Sequence, residues 1–229
     1  MITNLLRYGV DDQYWFYIGI VSAVVIAAVD FKHLWWLSGL FLLITILTVF
    51  KTIRKFQIIN SLLTDQALLQ VRRGLDLSVG TGYSTVRLAR AALNGQITGI
   101  EDQYQTSGNH ARNNVYKRGV GSRVNVMRGD IRSLPFPNDS FDVITGSYSK
   151  QTELTVNSHK KRQAICNEVA RLISKDGNGS ILMVNTKRQI HKYAVEFSKK
   201  TGFQVYIADP ELKFKFGYVA LKVDVSAIK

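Results

Sequence analysis

Arg73-Gly-Leu-Asp-Leu-Ser-Val-Gly-Thr-Gly-Tyr-Ser-Thr-Val-Arg-Leu-Ala-Arg90 is the stretch from which the fold can be read. Leu75, Leu77 and Val79 make a short apolar run that carries an acid at Asp76. Gly80 and Gly82 follow. Val86, Leu88, Ala89 and Leu93 then recur at helical spacing behind Ser84, an expected helix cap. The pattern predicts strand, glycine turn, helix. Lacking Cβ atoms, the two glycines let the backbone come close to a ligand. The unpaired N–H groups that open the next helix face that ligand.

Working outward, strands are expected at Gln96–Glu101, Val124–Arg128, Val143–Gly146 and Ser180–Asn185, and helices at Gln103–Arg118, Lys160–Ile173 and Ile190–Lys200. Gln204–Ala208 and Tyr218–Val223 read as a closing antiparallel pair joined through the basic, aromatic Leu212–Phe216. Strand and helix alternation of this kind implies a mostly parallel sheet.

Three ligand classes use a glycine turn after a strand. A phosphate-binding P-loop needs Gly-Lys-Ser/Thr, which is absent. A dinucleotide fingerprint needs a third glycine, where Thr85 stands. The remaining class keeps an acid before the glycines, as Asp76 does. The stretch resembles motif I of the class I S-adenosylmethionine-dependent methyltransferases, Asp/Glu-x-Gly-x-Gly-x-Gly, with Ser78 in place of the first glycine. Gly129-Asp-Ile-Arg-Ser-Leu-Pro-Phe-Pro-Asn-Asp-Ser-Phe-Asp142 is similar to a second block of that family, found in members acting on small molecules and lipids.

The resemblance implies an α/β, Rossmann-like, seven-stranded methyltransferase sheet with helices on both faces. It implies S-adenosyl-L-methionine as methyl donor and S-adenosyl-L-homocysteine as product. Cofactor contacts then fall to Asp76, Ser78, Gly80, Gly82, Asp102, Ile131 and Ser147, with Glu101 on the ribose hydroxyls and Asp130 on the adenine amino group. Asp102 is also expected to cap the next helix. The Ser78 side chain would crowd the methionine end. Acceptor-side candidates are Ser147, Tyr148 and Asn157, in the loop after the fourth strand, because ligands of open α/β sheets lie at the carboxyl ends of strands.

Composition limits the partners. The formal net charge of the 229 residues is +13, and only +2 of it falls on residues 1–60, so the rest of the chain is strongly basic and suits an anionic partner. The single cysteine, Cys166, excludes an internal disulfide and a cysteine zinc cluster, and the four histidines lack ligand spacing. Lys160, Lys161, Arg162, Lys187, Arg188 and Lys192 read as a solvated surface first and a lipid-headgroup contact second.

The N-terminus differs from all this. Tyr14–Val29 and Leu34–Phe50 are uncharged apolar runs of 16 and 17 residues, separated by Asp30-Phe31-Lys32-His33. Tyr14, Trp15, Tyr17, Trp35 and Trp36 lie near their ends, as interfacial aromatics do. Two transmembrane helices are expected over residues 1–50, and an amphipathic connector helix over 51–70 leads to a catalytic domain over 71–229. A hairpin re-entering one leaflet is the alternative, since the runs are short for a bilayer core of about 30 Å. Lys51, Arg54 and Lys55 put both termini and the catalytic domain on the cytoplasmic side of a two-pass protein. The expected acceptor is a lipid or another amphiphile, a phospholipid headgroup or a prenylated quinone. A non-catalytic cofactor-binding protein is a second reading. RNA methylation is a third, disfavoured by the missing Asn-Pro-Pro-Tyr-type motif; nucleic acid is not the expected partner.

Overall fold

The computed structural model describes residues 13–28, 35–64, 66–102, 110–147, 154, 157–176, 178–208 and 218–225. Tyr148 and Leu212–Phe216 lie outside them. The chain divides into two compact units, residues 1–56 and 57–229.

The first unit holds α1 (Gln13–Ala28) and most of α2 (Trp35–Leu62). Gly19 of α1 faces Thr45 and the Phe41 carbonyl of α2 so closely that a Cβ would collide with the Thr45 hydroxyl. Thr45, Thr48 and Thr52 turn their hydroxyls back onto the carbonyls of Phe41, Ile44 and Thr48. Tyr17, Ile18, Val21, Val24, Leu42, Leu43, Leu47 and Phe50 remain exposed.

Among the described residues, no helix is long and apolar enough to cross a membrane. This corrects the expectation of two spanning helices, and the reason is length. The 16 residues of α1 rise about 24 Å, short of a core of about 30 Å. The 28-residue α2 is long enough, but its uncharged part ends at Lys51, followed by Arg54 and Lys55. Nor is there a break where the connector was expected to begin. The helix runs through residues 50 and 51 to Leu62, and a 3-10 turn, Gln66–Gln70, completes the segment.

The second unit is built on a seven-stranded sheet of order β3-β2-β1-β4-β5-β7-β6. Its strands are β1 (Arg73–Asp76), β2 (Gln96–Asp102), β3 (Val124–Gly129), β4 (Val143–Ser147), β5 (Ser180–Thr186), β6 (Phe203–Ala208) and β7 (Tyr218–Val225). The first five pair in parallel, and β7 inserts antiparallel between β5 and β6. The helices are α3 (Tyr83–Ala91), α4 (His110–Lys117), α5 (His159–Leu172) and α6 (Lys187–Ser198). Ile165, Val169 and Leu172 of α5 and Ile190, Tyr193 and Phe197 of α6 join Leu75, Ile144, Ile181, Met183 and Leu221 of the sheet in one core. Each such side chain contributes about 1.5–3 kcal/mol on burial.

Two side-chain anchors set the site's frame. Asp142 Oδ2 accepts the Arg72 and Arg73 N–H groups at 2.7 and 2.9 Å, tying the start of β4 to the start of β1. Arg171 donates to the carbonyls of Phe136 and Leu134 while Glu168 accepts the Leu134 N–H, so α5 clamps the Leu134–Asn138 loop. The Leu-Pro-Phe-Pro block thus serves the fold through this clamp.

Candidate functional site at the carboxyl edge of the sheet

The chain moves from β1 to β2 and β3 on one side and to β4 and β5 on the other, so the strand order reverses between β1 and β4. A crevice at such a point is where open α/β sheets bind ligands. The register brings Asp76, Asp102, Gly129, Ser147 and Thr186 to the carboxyl edge as the last residues of β1 to β5.

The turn after β1 has Gly80 at φ 52° and Gly82 at φ 89°, both in the left-handed region that side chains disfavour. A Cβ on Gly80 would meet nothing closer than the Ser78 carbonyl at 4.0 Å, so a ligand can approach there. Asn114 of α4 donates to the Thr81 carbonyl at 2.8 Å and steadies the turn. The expected Ser84 cap does not form: the N-cap of α3 is Gly82, without a side-chain cap bond. Ser84 turns inward instead. Its hydroxyl and that of Thr85 donate to Asp76 Oδ2 at 2.7 and 2.6 Å, and the Ser78 N–H donates to Oδ1 at 3.1 Å. Burial pushes the Asp76 carboxyl above its ordinary pKa, with these donors pulling the other way. The structure therefore places Asp76 beneath the turn, fully buried, as its support.

Ser78 occupies the switch point itself. Its hydroxyl donates to the Ser147 carbonyl at 2.8 Å and accepts from the Ser147 N–H at 2.7 Å. This clasp joins the β1 turn to the end of β4 and uses both backbone groups of Ser147.

Glu101, near the end of β2, is buried, with Oε2 3.5 Å from Arg128 Nε. Asp102 closes the strand next to it. Asp130 follows β3, and both its oxygens accept from the Arg132 side chain at 2.8–3.1 Å, which holds its carboxyl below the usual range. Ile131 is buried beside it. The adenosine half of S-adenosylmethionine fits this arrangement, with an open glycine turn, a carboxylate one strand over, and an acid with an apolar side chain on the next strand.

On the acceptor side Asn157 is exposed, and its Oδ1 accepts from Gln189 Nε2 at 3.4 Å. Sequence reasoning put Asn185 at the active end of the fifth strand but missed Gln189 and Tyr193. Asn185 and Tyr193 both donate to the Leu154 carbonyl. It also missed the end of α2: Ile59, Leu62 and Leu63 line a small cavity with Ser84, Thr145, Gly146, Ser147, Leu182 and Val184. Asn60 accepts from the Tyr83 hydroxyl at 2.8 Å, attaching that helix end to the glycine-turn helix. A larger cavity of about 500 Å³ lies at the other end of the sheet, lined by Gly179, Ser180 and Asp224 with Leu68, away from the glycine turn. Burial pushes the Cys166 thiol up to about 12, so it is a packing residue.

This edge agrees with comparison to known proteins. Residues 75–177 match the methyltransferase domain family. Over 78 residues the chain is 35% identical to the ubiquinone/menaquinone biosynthesis C-methyltransferase UbiE of Azotobacter vinelandii, covering 33% of this chain and 31% of that protein. The chain thus spans about a third of the curated relative it matches. Among solved structures, the O-methyltransferase TomG of Streptomyces achromogenes, in complex with S-adenosylmethionine, aligns with TM-score 0.54 at 15% identity over 77% of this chain and 80% of that one. The O-methyltransferase of Bacillus cereus, in complex with S-adenosylhomocysteine, aligns at 0.55 with 17% identity over 76% and 80%. At these identities the likeness establishes the fold. Residues 57–229 therefore have the methyltransferase fold, and residues 75–177 within them are similar to the methyltransferase domain family.

Proposed function

We propose that the protein transfers a methyl group from S-adenosylmethionine to a lipid or other amphiphilic acceptor, working at a membrane surface. The observation that carries the methyl-transfer reading is the open glycine turn beside the β1–β4 reversal, with Glu101 and Asp130 at the neighbouring strand ends. Bound S-adenosylmethionine supplies a carbon already activated by its sulfonium, so transfer is an in-line displacement in which the C–S bond breaks as the acceptor's bond forms. Alignment and exclusion of water are then the protein's main tasks. Glu101 orients the ribose, the glycine turn lets the backbone approach the cofactor, and the Ser78–Ser147 clasp fixes the wall beside the methionine. Ile59, Leu62 and Leu63 give the acceptor side an apolar cover.

The membrane reading is supported by the run of exposed large apolar side chains along α1 and α2, since extended exposed apolar surface marks interaction sites. Apolar stretches too short to span suit a hairpin entering one leaflet, with Lys51, Arg54 and Lys55 at its cytoplasmic boundary. The match to a quinone-pathway methyltransferase favours an amphiphilic acceptor.

The test is full-length protein incubated with methyl-labelled S-adenosylmethionine and phospholipid vesicles, followed by organic extraction. Label is expected in the lipid fraction. Val24→Asp with Leu47→Asp should abolish flotation with vesicles and leave cofactor affinity unchanged. Label in RNA, or equal turnover of a water-soluble acceptor without vesicles, overturns the lipid reading.

A further inference from the structure

Successive residues of β5 serve different faces of the sheet. Ile181 and Met183 enter the core shared with α5 and α6, whereas Ser180, Leu182 and Val184 line cavities under the end of α2. The smaller cavity, at the carboxyl edge, lies between Ser147, Leu182 and Val184 and the helix residues Ile59, Leu62 and Leu63. The larger, of about 500 Å³, lies between Ser180, Leu182 and Asp224 and the residues Leu62, Ala67 and Leu68. Leu62 and Leu182 line both, so one groove follows β5 with these two leucines as its neck. From Val184 to Ser180 is four residue steps, roughly 13 Å.

The larger cavity opens past Ser61, Thr64 and Ala67, all exposed. Its volume falls within the range of about 300–1,000 Å³ usual for small-molecule sites, whereas close-packed interiors leave few voids larger than a water. The walls keep their polar groups occupied. Ser84 donates its hydroxyl to Asp76 and Thr145 to the Leu75 carbonyl, while Ser61 and Thr64 donate to the carbonyls of Ile58 and Ser61. Lys222 Nζ and Asp224 Oδ2 face each other at 3.6 Å in the larger cavity. Among the described residues lining the smaller cavity, none is charged. A neck of two leucines between walls whose hydroxyls are engaged suits an uncharged apolar chain, which asks for no hydrogen bond.

We propose that this groove holds the apolar chain of the methyl acceptor, with the reactive head at the carboxyl edge beside Ser147 and the tail past Leu62 and Leu182 in the larger cavity. This deepens the amphiphilic-acceptor reading and rests on it for the identity of the occupant, while the seating of a chain can be measured without turnover.

The probe is a long-chain fatty alcohol with a photoreactive diazirine at its chain end. It is irradiated with full-length protein in vesicles, and the cross-linked residues are mapped by mass spectrometry. Cross-links are expected on Ala67 or Leu68 and on Leu182 or Lys222. Each methylene kept out of the cavity weakens binding about fourfold, so Ala67→Trp, which fills the cavity from its exposed wall, should cut this labelling at least tenfold. Cofactor affinity and Tm should stay at wild-type values. Ser61→Trp fills the same cavity from the helix side and decides the matter if Ala67→Trp melts early. Cross-links confined to α1 and to α2 before Ile59, or cavity labelling that neither tryptophan reduces, overturn the proposal. Methyl transfer is then compared between short- and long-chain forms of one phospholipid. Ala67→Trp should raise KM for the long form and leave the short form unchanged. Equal KM values in wild type and variant put the tail elsewhere and sink this inference, leaving the lipid reading intact. Cavity labelling without transfer to either lipid sinks the lipid reading and leaves the groove as a site for an apolar chain.

Discussion

The carboxyl ends of β1 to β3 and the helices that begin after β4 and β5 share one edge of the sheet and carry opposite charge. Asp76, Glu101, Asp102 and Asp130 belong to the first group, and Lys160, Lys161, Arg162, Lys187, Arg188 and Lys192 to the second. A donor with a sulfonium, an ammonium and ribose hydroxyls suits the acidic half. The lipid-headgroup acceptor proposed above would suit the basic half. One fold can hold both because the chain reverses direction between β1 and β4 and keeps the two sets on separate strands.

The largest effect should come from removing the support of the acidic half. Asp76→Ala leaves the Ser78 N–H and the Ser84 and Thr85 hydroxyls without their acceptor, at about 1–3 kcal/mol for each buried group that stays unsatisfied. The variant is expected to lose about 3–5 kcal/mol in chemical denaturation and to bind cofactor poorly. Wild-type stability in this variant would mean that the turn does not rest on Asp76.

Opening the clasp between the halves should have a mixed, smaller effect. Ser78→Gly removes two hydrogen bonds to Ser147, each worth about 0.5–1.5 kcal/mol net, and so lowers Tm. It also restores room and a free Ser147 N–H at the methionine end, so cofactor binding should tighten. Calorimetry that finds weaker binding would show instead that the clasp shapes the site.

The smallest effect is expected at Asp130. Arg132 holds its carboxyl low, so this pair adds stability above the ordinary carboxylate pKa and loses it as pH falls through the depressed value. Glu168 behaves in the same direction: burial raises its pKa, but Arg171 and the Leu134 N–H outweigh it. Stability measured by urea should therefore decline on acidification below about pH 4, and Arg132→Ala should flatten part of that decline.

The two halves were not equally legible in the sequence. The donor half is local: Asp76, two glycines and α3 lie within sixteen residues, and strand and helix periods do the rest. Even there Ser84 misled, because a serine before a helix reads as a cap unless the buried acid that takes its hydroxyl is known. The basic half was visible only as charge. Nothing in His-Lys-Lys-Arg says that Arg162 turns inward, since that depends on α6 packing against α5. The Leu-Pro-Phe-Pro clamp likewise needs Arg171 and Glu168, more than thirty residues away. Run length misled at the N-terminus. Two uncharged stretches suggested spans, whereas α1 is too short and α2 carries its charges inside the helix.

The central claim, that the acidic strand ends hold the methyl donor, is tested most directly by calorimetric titration of S-adenosylmethionine into full-length wild type and Glu101→Ala. Glu101 offers two charge-assisted acceptors to the ribose, each worth roughly 1.5–3 kcal/mol. Wild type should bind one equivalent, and Glu101→Ala should bind at least tenfold more weakly with its Tm unchanged. Equal affinity in the two proteins, or no binding by wild type, would contradict the account.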